Sequence, residues 1–407
     1  MKGFITKSLH IKKHVKDAHG ALRMPIYENA AYEFDSSEEL SIVSAGKKMG
    51  HVYSRSSNPT VEDFELHIKA LTNSIGVVAL GSGMAAITTA ILTLVRAGES
   101  VITTNRLFGH TLSFFQNTLP NMGVTVKFVD VLDEKAVEAA FDERVRLLFL
   151  ETVSNPQLQI ADLEKLSKIA HSHDVPFVLD TTMTPFYLFD AKKFGIDVEV
   201  LSSTKFISGG GTSVGGLIVD HGIFEWKKVK LLDKYYAKVG PMAFLYKVRK
   251  EIFQALGAVL SPHNAYMQTL GLETMALRID RACENALALA SWLQGVKGIN
   301  EVNYPLLSSS PFYELSKKQF KSCGSILTFE VESEKAAYKF MDKLQIIRRA
   351  TNIHDNKTLI VSPYFVIYPL NSHEEKMSLG IKPNMLRLSV GIEDIEDLRE
   401  DIAQALS

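Results

Sequence analysis

The chain has 407 residues, of which 46% are apolar and 22% are charged. This composition is typical of a globular protein of about two or three domains, and it excludes a disordered or collagenous chain. The 45 Lys and Arg residues balance 46 Asp and Glu residues and leave a net charge of -1, so we expect no nucleic-acid partner.

The N-terminal residues 1–56 have no apolar run that could serve as a signal peptide. We therefore expect a cytoplasmic protein, and the two cysteines, Cys283 and Cys323, fit a reducing compartment as core residues. Residues 1–56 also lack an apolar periodicity of their own. We predict that they form an arm that contacts a neighbouring subunit.

Residues 75–95 are an uncharged stretch as long as a membrane-spanning helix. Gly76, Gly81, Ser82 and Gly83 interrupt this stretch. The interruptions favour a short strand, a turn and a buried helix, and we expect no membrane partner.

Short β-rich segments alternate with helical periodicity in the next part of the chain. The strand signals lie at residues 100–104, 124–130, 146–152, 176–182, 198–204 and 215–220, and a crossover helix is predicted at 161–173. This alternation predicts an α/β domain with a mainly parallel, helix-covered sheet.

The pattern changes after about Phe253. One long amphipathic helix is predicted at 264–293, followed by two isolated strands at 325–331 and 385–391 and a helix at 394–406. We therefore predict a large domain at 57–255 and a smaller C-terminal α+β domain at 256–407.

A glycine-rich turn at 81–86 lies between the predicted strand and helix. Such a turn lets main-chain N–H groups at a helix N-terminus approach a phosphate. It also matches the dinucleotide fingerprint of an oxidoreductase, but the second strand ends in Thr103, Thr104 and Asn105, without the acidic residue that would hold a ribose.

The segment Ser202-Ser203-Thr204-Lys205 follows a β-rich run and precedes three glycines at 209–211. A lysine at the end of a buried strand loses solvation and can be neutralised, as a Schiff base requires. If residues 202–204 continue the strand, Ser202 and Thr204 share a face and can both donate to a phosphate. Asp180 ends a neighbouring strand at the edge where open α/β sheets bind ligands.

Six ordered segments resemble the pyridoxal-phosphate enzymes of cysteine and methionine metabolism, with the cystathionine γ-synthase type of fold. They are Tyr53-Ser54-Arg55 with Asn58-Pro59-Thr60, the turn at 81–86, Glu151-Thr152 with Asn155-Pro156, Asp180-Thr181-Thr182, 202–205 and 386–391. The resemblance covers nearly the whole chain. It implies pyridoxal 5′-phosphate as cofactor and an aminotransferase-like, fold type I architecture with a mainly parallel seven-stranded sheet. Within the family, the runs at 261–265, 271–274 and 352–359 are most similar to O-acetylhomoserine sulfhydrylases.

The resemblance also implies roles for individual residues. Lys205 would hold the cofactor covalently and move protons, and Asp180 would pair with the pyridinium nitrogen. Asn155 would contact the phenolic oxygen of the cofactor. Arg387 would bind the substrate carboxylate with help from Asn352. From the residues alone, we would interpret Arg387 as a surface charge on an edge strand.

The phosphate of the cofactor would be held by Ser82, Gly83, Met84, Ser202 and Thr204. Tyr53 and Arg55 would reach the same site from a neighbouring subunit, and Tyr53 is also a candidate catalytic residue. The resemblance thus implies a homodimer, which in the family usually pairs into a homotetramer.

The chain departs from the family where a tyrosine usually stacks on the cofactor ring. It has Phe108-Gly109-His110-Thr111, so Phe108 would keep the stacking but lack the hydroxyl. His110 either replaces part of the missing acid or is a hydrogen-bonded structural residue. The run 362–368 replaces a His-Pro-Ala-Ser-Thr-Thr-His segment near the substrate, which implies a remodelled pocket.

No metal site is predicted. The histidine pair at 171 and 173 and the histidines at 10, 14 and 19 have no partner ligands at metal spacing, and we interpret them as surface residues.

The leading functional hypothesis is γ-replacement on O-acetylhomoserine with sulfide or a thiol, giving homocysteine or a related product. The alternatives within the family are cystathionine γ-synthase and methionine or cystathionine γ-lyase. A dinucleotide-binding oxidoreductase, based on the turn at 81–86, and a non-catalytic cofactor-binding protein are the alternatives from other classes.

Overall fold

Two β-sheets organise the chain. The computed structural model describes residues 3–11, 17 and 19–407. Within these residues the first sheet contains β1 (Gly76–Leu80), β2 (Ser100–Thr103), β3 (Thr125–Phe128), β4 (Val145–Glu151), β5 (Phe177–Asp180), β6 (Val198–Leu201) and β7 (Gly216–Asp220). The second contains β8 (Ile299–Asn303), β9 (Ile326–Val331), β10 (Arg348–Arg349), β11 (Leu359–Val361) and β12 (Met385–Ser389).

The α-helices of the described residues surround these sheets. They are α1 (Phe4–Leu9), α2 (Ser37–Ser44), α3 (Pro59–Thr72), α4 (Gly83–Leu94), α5 (Gly109–Ser113), α6 (Leu119–Asn121), α7 (Glu134–Ala139), α8 (Leu163–Ser172), α9 (Asp233–Val239), α10 (Ala243–Lys247), α11 (Phe253–Leu256), α12 (Pro262–Leu293), α13 (Tyr313–Gln319), α14 (Glu334–Lys343), α15 (Pro363–Val366), α16 (His373–Ser378) and α17 (Ile395–Leu406).

The first sheet has the strand order β1-β7-β6-β5-β4-β2-β3. Only β7 among these strands runs against its neighbours, and the pairs from β6 to β3 are parallel. The prediction of an α/β protein with a mainly parallel seven-stranded sheet is therefore confirmed.

The C-terminal ends of four strands meet at one edge of this sheet. Glu151 on β4 is in register with Asp180 on β5, Leu201 on β6 pairs with Leu217 on β7, and Leu80 on β1 pairs with Gly216. The segments that follow these strands are thus brought together at the edge where α/β sheets bind ligands.

Helices cover both faces of the first sheet. On one face α4 packs against strand residues such as Val78, Phe149 and Ile218. On the other face α3 and α12 cover the β1, β6 and β7 side, and α8 covers the β4 and β5 side. Because both faces are buried, these strands are nearly continuous apolar runs, which is why their sequence signals are strong.

The predicted strand at 198–204 is too long. β6 ends at Leu201, because the main-chain N–H of Ser202 donates to Oγ1 of Thr182 at 2.8 Å and the chain then turns. Ser202 and Thr204 therefore do not share a strand face, and the expectation based on strand geometry was wrong.

The second sheet has the order β10-β11-β12-β9-β8, and its pairs are antiparallel except for β10 with β11. The predicted C-terminal α+β part is confirmed, but sequence analysis found only β9 and β12. These two strands are fully buried, whereas β8 and β10 are largely exposed and β11 has three residues. Exposed edge strands such as β8 and β10 carry little apolar signal, and β11 is too short to show a periodicity.

The long helix α12 links the two parts. Ser261 caps its N-terminus by accepting a hydrogen bond from the N–H of Asn264, and Pro262 occupies the first turn. Leu272 and Met275 in its first half pack under the first sheet, and Leu289 in its second half packs with the second sheet. The limits 57–255 and 256–407 stay a prediction.

The uncharged stretch 75–95 forms β1, a turn and α4, as predicted. In the described part of the chain, no helix has the length and apolar character needed to cross a membrane. Cys283 and Cys323 are free and buried, which confirms their interpretation as core residues.

Candidate active site

The amine of Lys205 projects from the turn that follows β6. Its Nζ donates to Oδ1 of Asn352 at 2.7 Å, and the turn is closed by the N–H of Gly209, which donates to the carbonyl of Lys205 at 2.8 Å. Burial and the positive charge of Arg387 lower the pKa of the Lys205 amine to about 8. The amine is therefore much closer to its neutral, nucleophilic form at physiological pH than an ordinary lysine.

The guanidinium of Arg387 is buried in the middle of the second sheet. Arg387 is 2% exposed on β12, which lies between β11 and β9, so its interpretation as a surface charge from the residues alone was wrong. One nitrogen donates to Oδ1 of Asn155 at 3.0 Å and another to the carbonyl of Thr351 at 3.2 Å, while Nε has no partner within the described chain. A buried cation with an unused N–H suits an anionic ligand such as a carboxylate.

Asp180 and Glu151 form a pair of carboxyl groups at the ends of β5 and β4, with Asp180 buried and Glu151 half-buried. Oδ1 of Asp180 accepts a hydrogen bond from the N–H of Thr182 at 2.8 Å, and burial raises the pKa of Asp180 to about 6. Burial and the neighbouring charge of Asp180 raise the pKa of Glu151 well above its ordinary value. A cationic ring nitrogen next to Asp180 would relieve the cost of burying this charge.

The N-terminus of α4 faces Ser202. Ser82 caps the helix, since its Oγ accepts from the N–H of Ala85 at 3.0 Å. The N–H groups of Gly83 and Met84 lie in the first turn, where a helix offers no acceptor. A Cβ on Gly83 would lie 2.7 Å from Cβ of Ser202, so glycine permits this close approach. The arrangement suits a phosphate.

Thr204 lies in the same turn, but its hydroxyl faces the start of β7. Its Oγ1 accepts from the N–H of Gly215 at 3.0 Å and lies 3.2 Å from the carbonyl of the same residue. Ser202 is therefore the better placed hydroxyl of the two predicted phosphate ligands.

Phe108 lies at the start of α5, with its ring half-buried. Its N–H donates to Oε1 of Glu151 at 2.7 Å. The ring of His110 meets the ring of Phe108 edge to face, with centroids 5.4 Å apart, and His110 itself is exposed. The structure thus places Phe108 beside the Glu151 and Asp180 pair and His110 further out.

Tyr53 and Arg55 contact each other. The guanidinium of Arg55 lies over the ring of Tyr53, 5.5 Å from its centroid, and its Nη1 is 3.4 Å from the carbonyl of Gln254. Tyr53 is 45% exposed. These contacts involve none of the other predicted cofactor ligands.

The histidines of the sequence analysis fall into three groups. His10, His19 and His173 are exposed, as predicted. His171 is only half-exposed, because its Nε2 lies 2.8 Å from the buried carboxylate of Asp197. His14 lies outside the described residues. Among the residues that are described, no group of His, Cys, Asp and Glu side chains could hold a metal ion.

These groups match the chemical groups of pyridoxal phosphate and an amino acid. An amine with a lowered pKa suits an aldehyde, the N-terminus of α4 suits a phosphate, and the buried Asp180 suits a protonated ring nitrogen. The unpartnered Nε of Arg387 suits an α-carboxylate. The sequence predicted a role for each of these residues but none for Glu151, whose partner Phe108 is 43 positions away.

Comparison with known proteins agrees with this fit. A family model described as "Cys/Met metabolism PLP-dependent enzyme" matches residues 5–407. The O-acetyl-L-homoserine sulfhydrylase of Corynebacterium glutamicum is 36% identical, over 98% of this chain and 96% of that protein.

Two solved structures are also similar. The O-acetylhomoserine sulfhydrylase of the methionine biosynthetic pathway of Wolinella succinogenes is 64% identical, with a TM-score of 0.80 over 87% of this chain and 99% of that chain. A Campylobacter jejuni protein described as an O-acetylhomoserine (thiol)-lyase is 32% identical, with a TM-score of 0.94 over 100% of both chains. The latter structure carries N′-pyridoxyl-lysine-5′-monophosphate at position 205 of that chain.

Proposed function

This chain belongs to the PLP-dependent enzymes of Cys/Met metabolism, and we propose that it catalyses γ-replacement on O-acetylhomoserine with sulfide or a thiol. With sulfide the products are homocysteine and acetate. The 64% identity to a sulfhydrylase that acts in methionine biosynthesis supports this choice within the family.

One observation carries the proposal. Asn352 accepts a hydrogen bond from Nζ of Lys205, and the carbonyl of the preceding residue, Thr351, accepts one from Arg387. The amine and the guanidinium are therefore bound by two consecutive residues. An amino acid bound by Arg387 through its carboxylate would therefore present its Cα to the amine of Lys205. This is the arrangement that proton removal at Cα requires.

We assign the cofactor to the edge of the first sheet. Lys205 would tether it, Asp180 would pair with its ring nitrogen, Asn155 would contact its phenolic oxygen and Phe108 would stack on its ring. Its phosphate would be held by Ser82, Gly83, Met84, Ser202 and Thr204. When bound, pyridoxal phosphate withdraws electrons from the substrate carbon that carries the amino group.

Individual residues of the chain then have separate roles in the reaction. Lys205 takes the proton from Cα of the substrate and delivers a proton when the product forms. Arg387, aided by Asn352, keeps the carboxylate and thus Cα in place. Phe108 supplies no proton, which suits acetate as a leaving group because a carboxylate is only weakly basic.

We further propose that the protein is a cytoplasmic homodimer that pairs into a homotetramer. Tyr53 is 45% exposed, and the guanidinium of Arg55 contacts its ring. In a dimer they would complete the phosphate site of the neighbouring subunit, with Tyr53 next to the substrate.

Family membership removes the dinucleotide-binding oxidoreductase from the hypotheses. Cystathionine γ-synthase and the methionine or cystathionine γ-lyases remain as alternatives, because they share the cofactor and the carboxylate-binding arginine.

The test is a substrate panel with the holoenzyme. O-acetylhomoserine, O-succinylhomoserine, cystathionine and methionine are each supplied with and without sulfide, and homocysteine and 2-oxobutanoate are measured. We expect homocysteine from O-acetylhomoserine only when sulfide is present. Rapid 2-oxobutanoate formation from methionine, or turnover only with O-succinylhomoserine and cysteine, would replace the proposal with one of the alternatives.

A further inference from the structure

Two polar side chains connect the Phe108 turn to the Asn155 loop. The first is Glu151 at the end of β4. Its Oε1 accepts from the main-chain N–H of Phe108 at 2.7 Å. The main-chain N–H of Asn155 also acts on this carboxyl group, since it lowers the pKa of Glu151 against the effect of burial. Glu151 thus lies between main-chain N–H groups of both segments.

The second side chain is Tyr368, which is 1% exposed. Its hydroxyl donates to the carbonyl of Leu107 at 2.8 Å and lies 3.3 Å from the carbonyl of Asn155. Glu151 therefore accepts from the N–H of the Phe108 turn, and the hydroxyl of Tyr368 donates to a carbonyl of the same turn and lies next to a carbonyl of the Asn155 loop. The two side chains are complementary, because a carboxylate accepts hydrogen bonds and a phenol donates one.

The segment that carries Tyr368 fits closely against the Phe108 turn. A Cβ on Gly109 would lie 2.6 Å from the carbonyl oxygen of Ile367, so only glycine allows this approach. Tyr368 ends the run 362–368, for which the resemblance to the family implies a remodelled substrate side. A shift of this run would therefore move the Phe108 turn with it.

The two bridged segments carry groups of different parts of the site. Phe108 presents the ring that would stack on the cofactor, and Oδ1 of Asn155 accepts from the guanidinium of Arg387 at 3.0 Å. Fixing these segments relative to each other fixes the stacking ring relative to the carboxylate-binding group.

We propose that Glu151 and Tyr368 are positioning residues that set Phe108 and Asn155 in the geometry that binds the cofactor and orients the substrate. The inference rests on the proposed cofactor site but not on the identity of the substrate. It explains why a second carboxyl group lies beside Asp180, where an apolar residue would avoid the repulsion between two neighbouring acids.

The decisive variant is Tyr368→Phe, which removes a single oxygen atom. Its matched control is Tyr304→Phe, because Tyr304 is equally buried and its hydroxyl donates to the carbonyl of Gly324 at 2.8 Å. Three properties are measured without substrate. The first is the rate at which pyridoxal phosphate dissociates after dilution into a trap that captures the released aldehyde. The others are the circular dichroism of the bound cofactor and the thermal unfolding of the holoenzyme.

We expect both variants to lose similar thermal stability, since each leaves a buried carbonyl without its donor. Only Tyr368→Phe should release the cofactor about tenfold faster and weaken its circular dichroism. Tenfold corresponds to about 1.4 kcal/mol, which is the size expected for such a lost hydrogen bond. The proposal is overturned if Tyr368→Phe matches Tyr304→Phe in all three measurements.

Glu151 provides a second, independent test. Glu151→Gln keeps a carbonyl oxygen that can accept from the N–H of Phe108, whereas Glu151→Ala keeps no acceptor. We expect the glutamine variant to retain the cofactor within about twofold of the wild type and the alanine variant to release it at least about tenfold faster. Equal effects of the two substitutions, large or small, would contradict a role as acceptor, and this comparison decides the matter if Tyr368→Phe does not fold.

Failure of this inference is distinguishable from failure of the proposed function. The cofactor measurements contain no substrate, so they hold for a sulfhydrylase and for a lyase alike. Conversely, an unexpected result of the substrate panel would not alter what the cofactor measurements show.

Discussion

Nζ of Lys205 lies 2.7 Å from Oδ1 of Asn352, although 147 positions separate the two residues in the chain. Lys205 follows a strand of the first sheet, and Asn352 lies in a loop of the part built around the second sheet. The site is therefore assembled between the two parts. The positions of the amine and of the carboxylate-binding group depend on how these parts pack together.

The lowered pKa of Lys205 predicts the pH dependence of cofactor attachment. Only a neutral amine attacks an aldehyde, and the pKa of this amine is about 8. The rate at which cofactor-free protein captures pyridoxal phosphate should therefore rise with pH and level off above about pH 8, rather than near the ordinary lysine pKa of about 10.4. Stopped-flow absorbance measures the rate, and Lys205→Ala, which should abolish both covalent capture and turnover, is the control. Turnover by a folded Lys205→Ala variant would refute the assignment.

Asn352→Asp should move this pH dependence upward. A carboxylate in place of the amide oxygen would stabilise the charged amine and raise the pKa of Lys205. A rise of one unit reduces the neutral fraction at about pH 7 by about tenfold, and capture should slow by the same factor. Asn352→Leu is the comparison, since it removes the hydrogen bond without adding charge and should not move the midpoint upward. An unchanged midpoint in Asn352→Asp would mean that the observed hydrogen bond does not control the amine.

Asp180→Asn should stabilise the cofactor-free protein while weakening cofactor binding. Burial raises the pKa of Asp180 in the folded state to about 6, above an unfolded value of about 3.9. The folded state therefore binds the proton more tightly, and the cost of ionising Asp180 grows as pH rises from about 3.9 to about 6 and levels off above it. The stability advantage of the asparagine variant should grow by about 1 kcal/mol between about pH 5 and about pH 8, measured by denaturant unfolding.

Asp220→Asn is the matched control for the loss of cofactor affinity. Asp220 is also a buried carboxyl whose pKa is raised, to about 7, but it lies at the opposite edge of the sheet, paired with Gly76. We expect this variant to keep its cofactor affinity. Equal weakening in both variants would show that Asp180 acts only through the stability of the sheet.

Phe108→Tyr should change the leaving groups that the enzyme accepts. A thiolate leaves Cγ of methionine or cystathionine with the help of a proton donor, and general acid assistance is typically a factor of about 100 to 10,000. Acetate needs little help. The variant should therefore eliminate from methionine or cystathionine faster, with only a slight change in the sulfhydrylation of O-acetylhomoserine. If the wild type already cleaves methionine as fast as it consumes O-acetylhomoserine, Tyr53, His110 or a water must supply the proton and the lyase becomes the better hypothesis.

Arg55→Ala mixed with Lys205→Ala should recover activity. If Arg55 serves the neighbouring subunit, a mixed dimer contains one site in which both residues are intact. Each variant alone should be nearly inactive or retain cofactor poorly, and refolded mixtures should regain up to about a quarter of the wild-type activity, because half of the dimers are mixed and each has one intact site of two. Recovery is measured against the content of mixed dimers. No recovery in demonstrably mixed dimers would place Arg55 in its own chain's site.

Local sequence signals predicted the central sheet and most of the residues at its edge. Strands β2 and β4 to β7 are covered on both faces, so each is an apolar run that stands out from the polar turn that follows. Asp180, Ser202 and Lys205 come directly after such runs. Since the carboxyl ends of parallel strands meet at one edge, their proximity follows from local signals alone.

The tertiary structure decided what surrounds these residues. Arg387 resembles a surface charge in sequence because a single strand does not reveal its neighbours, and only the sheet order places it between two buried strands. The contacts of Glu151 with Phe108 and of Tyr368 with Leu107 span 43 and 261 positions. Such contacts arise from the packing of distant segments, for which local periodicity carries no information, and they determine where the ring of Phe108 and the carboxylate-binding Arg387 lie relative to Lys205.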